Sequence, residues 1–400
     1  MSTDSSRAGA VAPLYLAGFT TACGAHGVAV GLGLQAGDVG LALLGFGVML
    51  ALYDVAEVIL KPVFGALSDR IGVIPVIVGG LVVFSVASVA AALFPMPIML
   101  AVSRFVQGAA AAAFSPASSS AVARLAGPQR LGRYFGRYGG WKSLGYAVGP
   151  LLAAVMVTWS GIGGLYWLLA ALSAAVAVAV LVKVPRLSVL ARPRYTVADL
   201  WRQTADRTFL VPTLVLAAST AVLGVAVGYI PLLAVRAGLA PLVGAGAVAA
   251  IAVVASVAQP IVGQRHDGGR LSARAGTSGA LVLAAVAVLA MAISANPAVL
   301  YLGSLLVGLA VGTATPLAYA QLAAATPPER LGRTMGNAEL GREIGDAGGP
   351  ILVGAVSAGT ALPVGLAALG AVLLVAGAGS HRWGPGASRG QVAGSPRPAR

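Results

Sequence analysis

The chain is poor in the residues on which most site chemistry depends. It holds one cysteine, Cys23, inside an apolar run, which excludes a disulfide framework and a thiolate metal site. Its three histidines are scattered, so no metal centre and no bound cofactor is expected. No phosphate loop of the form G-x-x-x-x-G-K-[ST] occurs, and ATP is therefore not read as the direct energy source. Aromatic residues make up 6% of the chain, too few to favour a broad stacking pocket. Charge is scarce as well, at 10% of residues against about a quarter in soluble proteins. What fills the chain is apolar: 58% hydrophobic residues, 54 glycines and a mean hydropathy of +0.90 mark a membrane protein. The net charge of +14 comes from 26 Lys and Arg against 12 Asp and Glu. In a soluble domain that balance suggests nucleic acid. Here the basic residues lie in short segments between apolar runs, so the expected partner is the lipid bilayer and not nucleic acid.

A helix crosses the hydrocarbon layer in about 20 residues. Twelve apolar runs of that order occur, near 12–33, 40–63, 73–94, 97–122, 138–158, 162–182, 209–233, 243–262, 277–294, 298–322, 338–357 and 361–379. Alternating strand patterns are absent and every backbone amide in lipid must be bonded internally, so the runs are read as transmembrane helices. The first run is too long for the apolar core of a signal peptide and is read as retained. Basic residues alternate between the loops. Arg70, Arg124, Arg130, Arg133, Arg137, the segment Lys183 to Arg207, Arg265, Arg270, Arg274, Arg330, Arg333 and the tail from Arg382 fall on one side, and only Arg236 on the other. Positive charge stays inside, so a multi-pass protein of the cell membrane with both termini in the cytoplasm is expected. The organisation expected is a six-helix bundle over 1–182, a cytoplasmic linker over 183–208, a second six-helix bundle over 209–380 and a disordered cytoplasmic tail over 381–400.

Residues 97–152 realign on 297–352 without a gap, pairing Pro97 with Pro297, Pro116 with Pro316 and Pro128 with Pro328. The match is densest where RLGRYFG meets RLGRTMG, followed by Gly145, Gly149 and Pro150 against Gly345, Gly349 and Pro350. Two like-oriented halves place a site between them. With that repeat the chain resembles the major facilitator superfamily over essentially its whole length, and within it the twelve-helix drug/proton antiporter group. Gly65, Asp69, Arg70 and Gly72 in GALSDRIG are similar to the family's loop signature after helix 2, and Gly263 and Asp267 echo it in the second half. The first copy departs from that signature at Val73 and Ile74, where basic residues are usual. Arg104, Gln107 and Gly108 resemble the helix 4 signature. Gly145, Gly149 and Pro150 in GYAVGP resemble the helix 5 motif of antiporters, although Ala153 and Ala154 replace its last glycines. The resemblance implies an all-α membrane fold of twelve transmembrane helices in two pseudo-symmetric six-helix bundles.

Charge inside a bilayer is costly and therefore informative. Asp54, Glu57 and Lys61 share one helical face at i, i+3 and i+7. They form either a neutralised pair that lets the helix insert or a set in which one carboxylate, unmatched by Lys61, carries a proton. Glu339, Arg342, Glu343 and Asp346 make a second such face; Glu339 is read as part of a cytoplasmic mouth and Asp346 as lying deeper, harder to solvate. In the resembled fold helices 2 and 11 meet, which implies a gate in which Lys61 and Arg342 pair with carboxylates across the boundary. Arg104 either bonds a neighbouring helix or keeps an acid deprotonated, and His26 either relays a proton or bonds a carbonyl. Asp69 is placed to meet a helix N-terminus. Gly145 and Gly149 allow close helix approach and Pro150 bends its helix. For substrate contacts, His26, Gln107, Trp141, Lys142 and Tyr146 lie on spans that line the cavity of the resembled fold. The function expected is secondary transport by alternating access, as proton-coupled efflux of small organic compounds by a monomer driven by the proton gradient. Proton symport or uncoupled uptake is the alternative. An enzyme is not expected, because no nucleophile, metal or histidine constellation accompanies these carboxylates.

Overall fold

The computed structural model describes residues 2–35, 43–189, 205–294 and 296–384, and they are helical nearly throughout. The first four helices are α1 (Ser2–Leu34), α2 (Leu43–Ile71), α3 (Val73–Leu93) and α4 (Pro97–Ala126). The run Leu131–Lys183 is broken at Gly161, whose φ of 70° and ψ of −176° leave the helical region. Only glycine adopts that backbone readily, and the run is thereby divided into α5 (131–160) and α6 (162–183). The second series is α7 (Arg207–Arg236), α8 (Pro241–Asp267), α9 (Ala273–Ile293), α10 (Pro297–Ala325), α11 (Leu331–Gly359) and α12 (Leu362–Trp383). Proline opens α4, α8, α10 and α12 at a position where its missing N–H is not needed. Asp206 and Asn296 cap α7 and α10 by accepting from Thr208 N and Ala298 N, each at 2.9 Å. The linker expected over 183–208 and the tail over 381–400 fall mostly on 190–204 and 385–400, outside the described residues.

Nine helices among the described residues are long and apolar enough to cross a membrane, the run Leu131–Lys183 counting as one. The helices α2 and α11 are not among them, and these are the two that carry the clustered charges. They nonetheless sit in the bundle as their neighbours do, because their charges face each other.

The two series pack alike. In the first, α1 lies on α5, α2 on α4, and α3 on α4 and α6; in the second, α7 lies on α11, α8 on α10, and α9 on α10 and α12. Close approach is made by glycine. A Cβ on Gly145 or Gly149 would lie 2.6 Å from Phe19 O or 2.7 Å from Cys23 O of α1. Gly345 and Gly349 meet Ala217 O and Ala221 O of α7 in the same way. Between the series, α2 packs on α11, α5 on α8 and α10, and α4 on α11. The side chains that join them lie between Asp69 and Asp267, at the end that carries the basic loops, and the contact of Arg342 with Tyr146. From Leu331 to Arg342 that is about 16 Å of helix, roughly half the hydrocarbon thickness.

Candidate functional site

At the arginine-rich end each series caps a helix of the other. Asp69 accepts from Gly332 N at 2.8 Å and Arg333 N at 2.9 Å, at the start of α11. Asp267 accepts from Gly132 N at 2.8 Å and Arg133 N at 2.6 Å, at the start of α5. Both caps satisfy amide groups left free at a helix N-terminus and place negative charge at its positive pole. The RLGR string of each half supplies these amides, which gives the repeat a physical meaning. Small residues bring the backbones together. A Cβ on Gly65 would lie 2.5 Å from Gly332 O, and Gly136 sits against Gln259 O. Gly72, with φ of 98°, makes the turn between α2 and α3, while Arg70 is exposed.

About two turns further in, three acids and three bases form a charge-balanced cluster. Lys61 Nζ lies 2.8 Å from Glu57 Oε1, 2.6 Å from Glu343 Oε1 and 3.4 Å from Glu339 Oε2. Lys142 of α5 reaches Glu339 at 3.5 Å, and Arg342 lies 4.0 Å from both Glu339 and Glu343. Tyr319 of α10 donates to Glu339 Oε1 at 2.5 Å, and its ring stacks on Phe135 at 5.4 Å. The faces of α2 and α11 therefore confront each other, as the resemblance implied. Glu339 is a correction to the sequence reading: it is fully buried at the centre of the cluster, not at a solvated mouth. Its position is set by Lys61, Lys142 and Tyr319 from three other helices, none of which is near it in sequence.

Beyond the cluster the two series part. Asp54, on the Lys61 face of α2, and Asp346, on the Glu339 face of α11, are both exposed, and neither carboxylate has a hydrogen bond or ion pair among the described residues. Asp346, expected to be hard to solvate, is exposed on one side and sets its Oδ1 close to Gly224 of α7 on the other. His26 of α1 is exposed, its ring edge-on to Tyr146 at 4.6 Å, and Tyr146 Oη accepts from Arg342 Nη2 at 3.0 Å. These contacts join α1, α5 and α11 at the floor of the open space. Arg104 is buried with its guanidinium 4.2 Å above the Tyr53 ring of the neighbouring α2. Its Nε and Nη1 have no hydrogen-bond partner among the described residues.

Two residues assigned to the cavity lie elsewhere. Gln107 is fully buried and donates to Ser88 Oγ of α3 at 2.8 Å, so it ties α4 to its own series. Trp141 is 41% exposed on a face shared with Leu144 and Leu151, edge-on to Phe19. That face is centred well over a quarter of a helical circle from Lys142, with Leu144 and Leu151 roughly opposite it, and it points out of the bundle.

The sequence reading also missed a neutral counterpart of the charged pair. The repeat sets Lys61, Pro62, Gly65 and Asp69 against Gln259, Pro260, Gly263 and Asp267, and Glu343 against Ser143. Gln259 Nε2 donates to Ser143 Oγ at 2.7 Å, in the place where Lys61 meets Glu343 at 2.6 Å. One boundary between the series is ionic and the other is not. Carrying the alignment through α2 and α8 would have revealed it.

Comparison with known proteins agrees with this architecture. The inner membrane transport protein YajR of Escherichia coli is 31% identical over 139 residues, 34% of this chain and 30% of that protein. A multidrug resistance protein B homolog of Mycobacterium tuberculosis is 34% identical over 111 residues, 28% of this chain and 20% of that one. The chain thus spans less than a third of the length of these relatives in the matched stretches. The human organic anion transporter MFSD10 (TETRAN) superimposes with a TM-score of 0.74 at 18% identity, covering 93% of this chain and 98% of its own. The model of the Major Facilitator Superfamily matches residues 14–350. With two like-packed series of membrane helices and a charged boundary between them, the chain belongs to the Major Facilitator Superfamily and is a transporter, not an enzyme.

Proposed function

We propose that this transporter exports small organic compounds in exchange for protons, with the arginine-rich end and both termini on the cytoplasmic side of the cell membrane. The observation that carries the reading is the balanced cluster Glu57, Lys61, Lys142, Glu339, Arg342 and Glu343, set beneath two exposed residues, Asp54 and Asp346, whose carboxylates have no ion pair among the described residues. In this arrangement the cytoplasmic end is closed and the cavity faces outward. Asp54 and Asp346 take up protons there, or hold an organic cation in their place, so that cargo and proton exclude each other. His26, Tyr146 and Arg342 link that cavity to the cluster. Protonation of Glu57 or Glu343 removes a counter-charge from Lys61, weakens the bridge between α2 and α11, and favours the state open to the cytoplasm. A proton can bias this equilibrium because it binds the two states unequally. The relative named for multidrug resistance supports efflux as the direction. One chain holds both series, so a monomer driven by the proton gradient suffices, with no cofactor.

The test is flux in liposomes that contain the purified protein and a trapped pH dye. Under an imposed proton gradient, tetraphenylphosphonium or ethidium should move against a proton current, and Asp54→Asn and Asp346→Asn should abolish the coupling. Movement of the cation with no proton current would leave a facilitator. Proton and cation moving together would make the protein a symporter.

A further inference from the structure

The face of α5 that the cavity does not use leads to a second site. Outside the contact of Gly140 with Ser256 and Pro260, α5 and α8 leave a cleft of about 190 Å³ lined by Arg137, Gly140, Trp141, Leu144, Ser256 and Pro260. The cleft opens on the outer surface of the bundle, among exposed apolar side chains. Trp141 and Leu144 are 41% and 36% exposed, and Val253 and Val257 of α8 are 53% and 57% exposed beside it. Its volume is below the roughly 300 Å³ at which drug-sized pockets begin, so it is not a second cargo cavity.

Arg137 gives the cleft its chemistry. It stands about 9 Å along α5 from Leu131, near the edge of the hydrocarbon layer, one turn from Trp141 on the same face. It has no hydrogen bond or ion pair among the described residues. The carboxylate at this boundary, Asp267, is already bonded to Gly132 N and Arg133 N. Arginine at the interface with tryptophan just inside it is the pattern that holds a phosphate above and an acyl chain below. The Ser256 hydroxyl donates to Val253 O at 2.8 Å, so its oxygen remains free to accept from a headgroup hydroxyl. The repeat provides an internal control. At the equivalent positions of α11 stand Asn337, Gly341 and Ile344, and Gly341 packs on Thr213 with no room for an indole.

We propose that this cleft binds an anionic phospholipid from the surrounding bilayer, its phosphate on Arg137 and its chain along Trp141 and Leu144. Because α5 and α8 belong to different series, the cleft is whole only while the arginine-rich end is closed. A lipid seated there stabilises the closed state, since it binds that state alone.

Phosphatidylglycerol titrated into the full-length protein in detergent, followed by native mass spectrometry, tests the assignment. Wild type should retain one phosphatidylglycerol in preference to phosphatidylcholine, and Arg137→Gln should weaken retention about five-fold, the effect of one arginine on an anionic lipid. Trp141→Ala should also weaken it, whereas Asn337→Ala should not, and inorganic phosphate should neither compete nor bind. Quenching of tryptophan fluorescence by brominated phosphatidylglycerol should be reduced in Trp141→Phe, which places the bound lipid at that indole, and unchanged thermal unfolding of Arg137→Gln and Trp141→Ala should show that both variants remain folded. Equal retention of phosphatidylglycerol by wild type and Arg137→Gln, or equal retention of the two lipids by wild type, would overturn the proposal. Competition by inorganic phosphate would instead make this a site for a free anion. These readouts do not depend on proton coupling.

Discussion

Glu343→Gln tests whether the charged cluster holds the arginine-rich end shut. In the closed state Glu343 Oε1 lies 2.6 Å from Lys61 Nζ across the boundary between the two series. A hydrogen bond between charged groups contributes about 1.5 to 3 kcal/mol, and each 1.4 kcal/mol is about tenfold in an equilibrium constant. Full loss of the contact would move the closed-to-open ratio by roughly tenfold to a hundredfold. The lower end is expected, because Lys61 keeps Glu57 at 2.8 Å and Glu339 at 3.4 Å, and the amide oxygen of glutamine still accepts. The cluster is left with three bases and two acids, which adds repulsion between Lys61 and Arg342 in the same direction. The assay is the distance between spin labels at Ile71→Cys and Ala325→Cys, both exposed and on opposite series, in a Cys23→Ser background. Glu343→Gln should add a longer distance to the distribution at neutral pH, and acidification of wild type should add the same component. In Lys61→Gln with Glu343→Gln the opening should be less than the sum of the single effects, since the pair is removed together. If the Glu343→Gln distribution superimposes on that of wild type while Asp69→Asn lengthens it, the cluster is not what holds the end shut.

Other perturbations follow from the same geometry. Asp69→Asn and Asp267→Asn should each open the arginine-rich end by about 1 to 2 kcal/mol, through loss of a charged cap on α11 or α5; cysteine cross-linking across that end reads it. Gly65→Val should hinder closure, because its side chain would enter the Gly332 and Gly336 backbone, and a shift of the spin-label distances toward the open state without loss of thermal stability would show it. Gly149→Val should instead lower the melting temperature, by about 1 to 3 kcal/mol of overpacking against Cys23 within one series. Gln259→Leu should alter the spin-label distances equally at all pH values, since its bond to Ser143 carries no titrating group.

The sequence by itself determined where the helical runs lie, the repeat, and the faces on which Asp54, Glu57, Lys61, Glu339, Arg342, Glu343 and Asp346 stand. All of these are local: helical periodicity fixes which residues share a face, and the cost of charge in lipid makes them conspicuous. The meeting of Asp69 with a helix N-terminus was legible for the same reason, although the helix it meets was not. What only the tertiary structure decided is how each helix is rotated against helices far away in the chain. That rotation places Lys142 and Tyr319 on Glu339, and turns Trp141 out of the bundle toward the cleft with Pro260. It also directs Gln107 onto Ser88 and leaves Asp54 and Asp346 exposed where the two series diverge. Such rotations are set by close packing over many small residues, chiefly the glycines at which backbones touch, and no periodicity along a single helix encodes them.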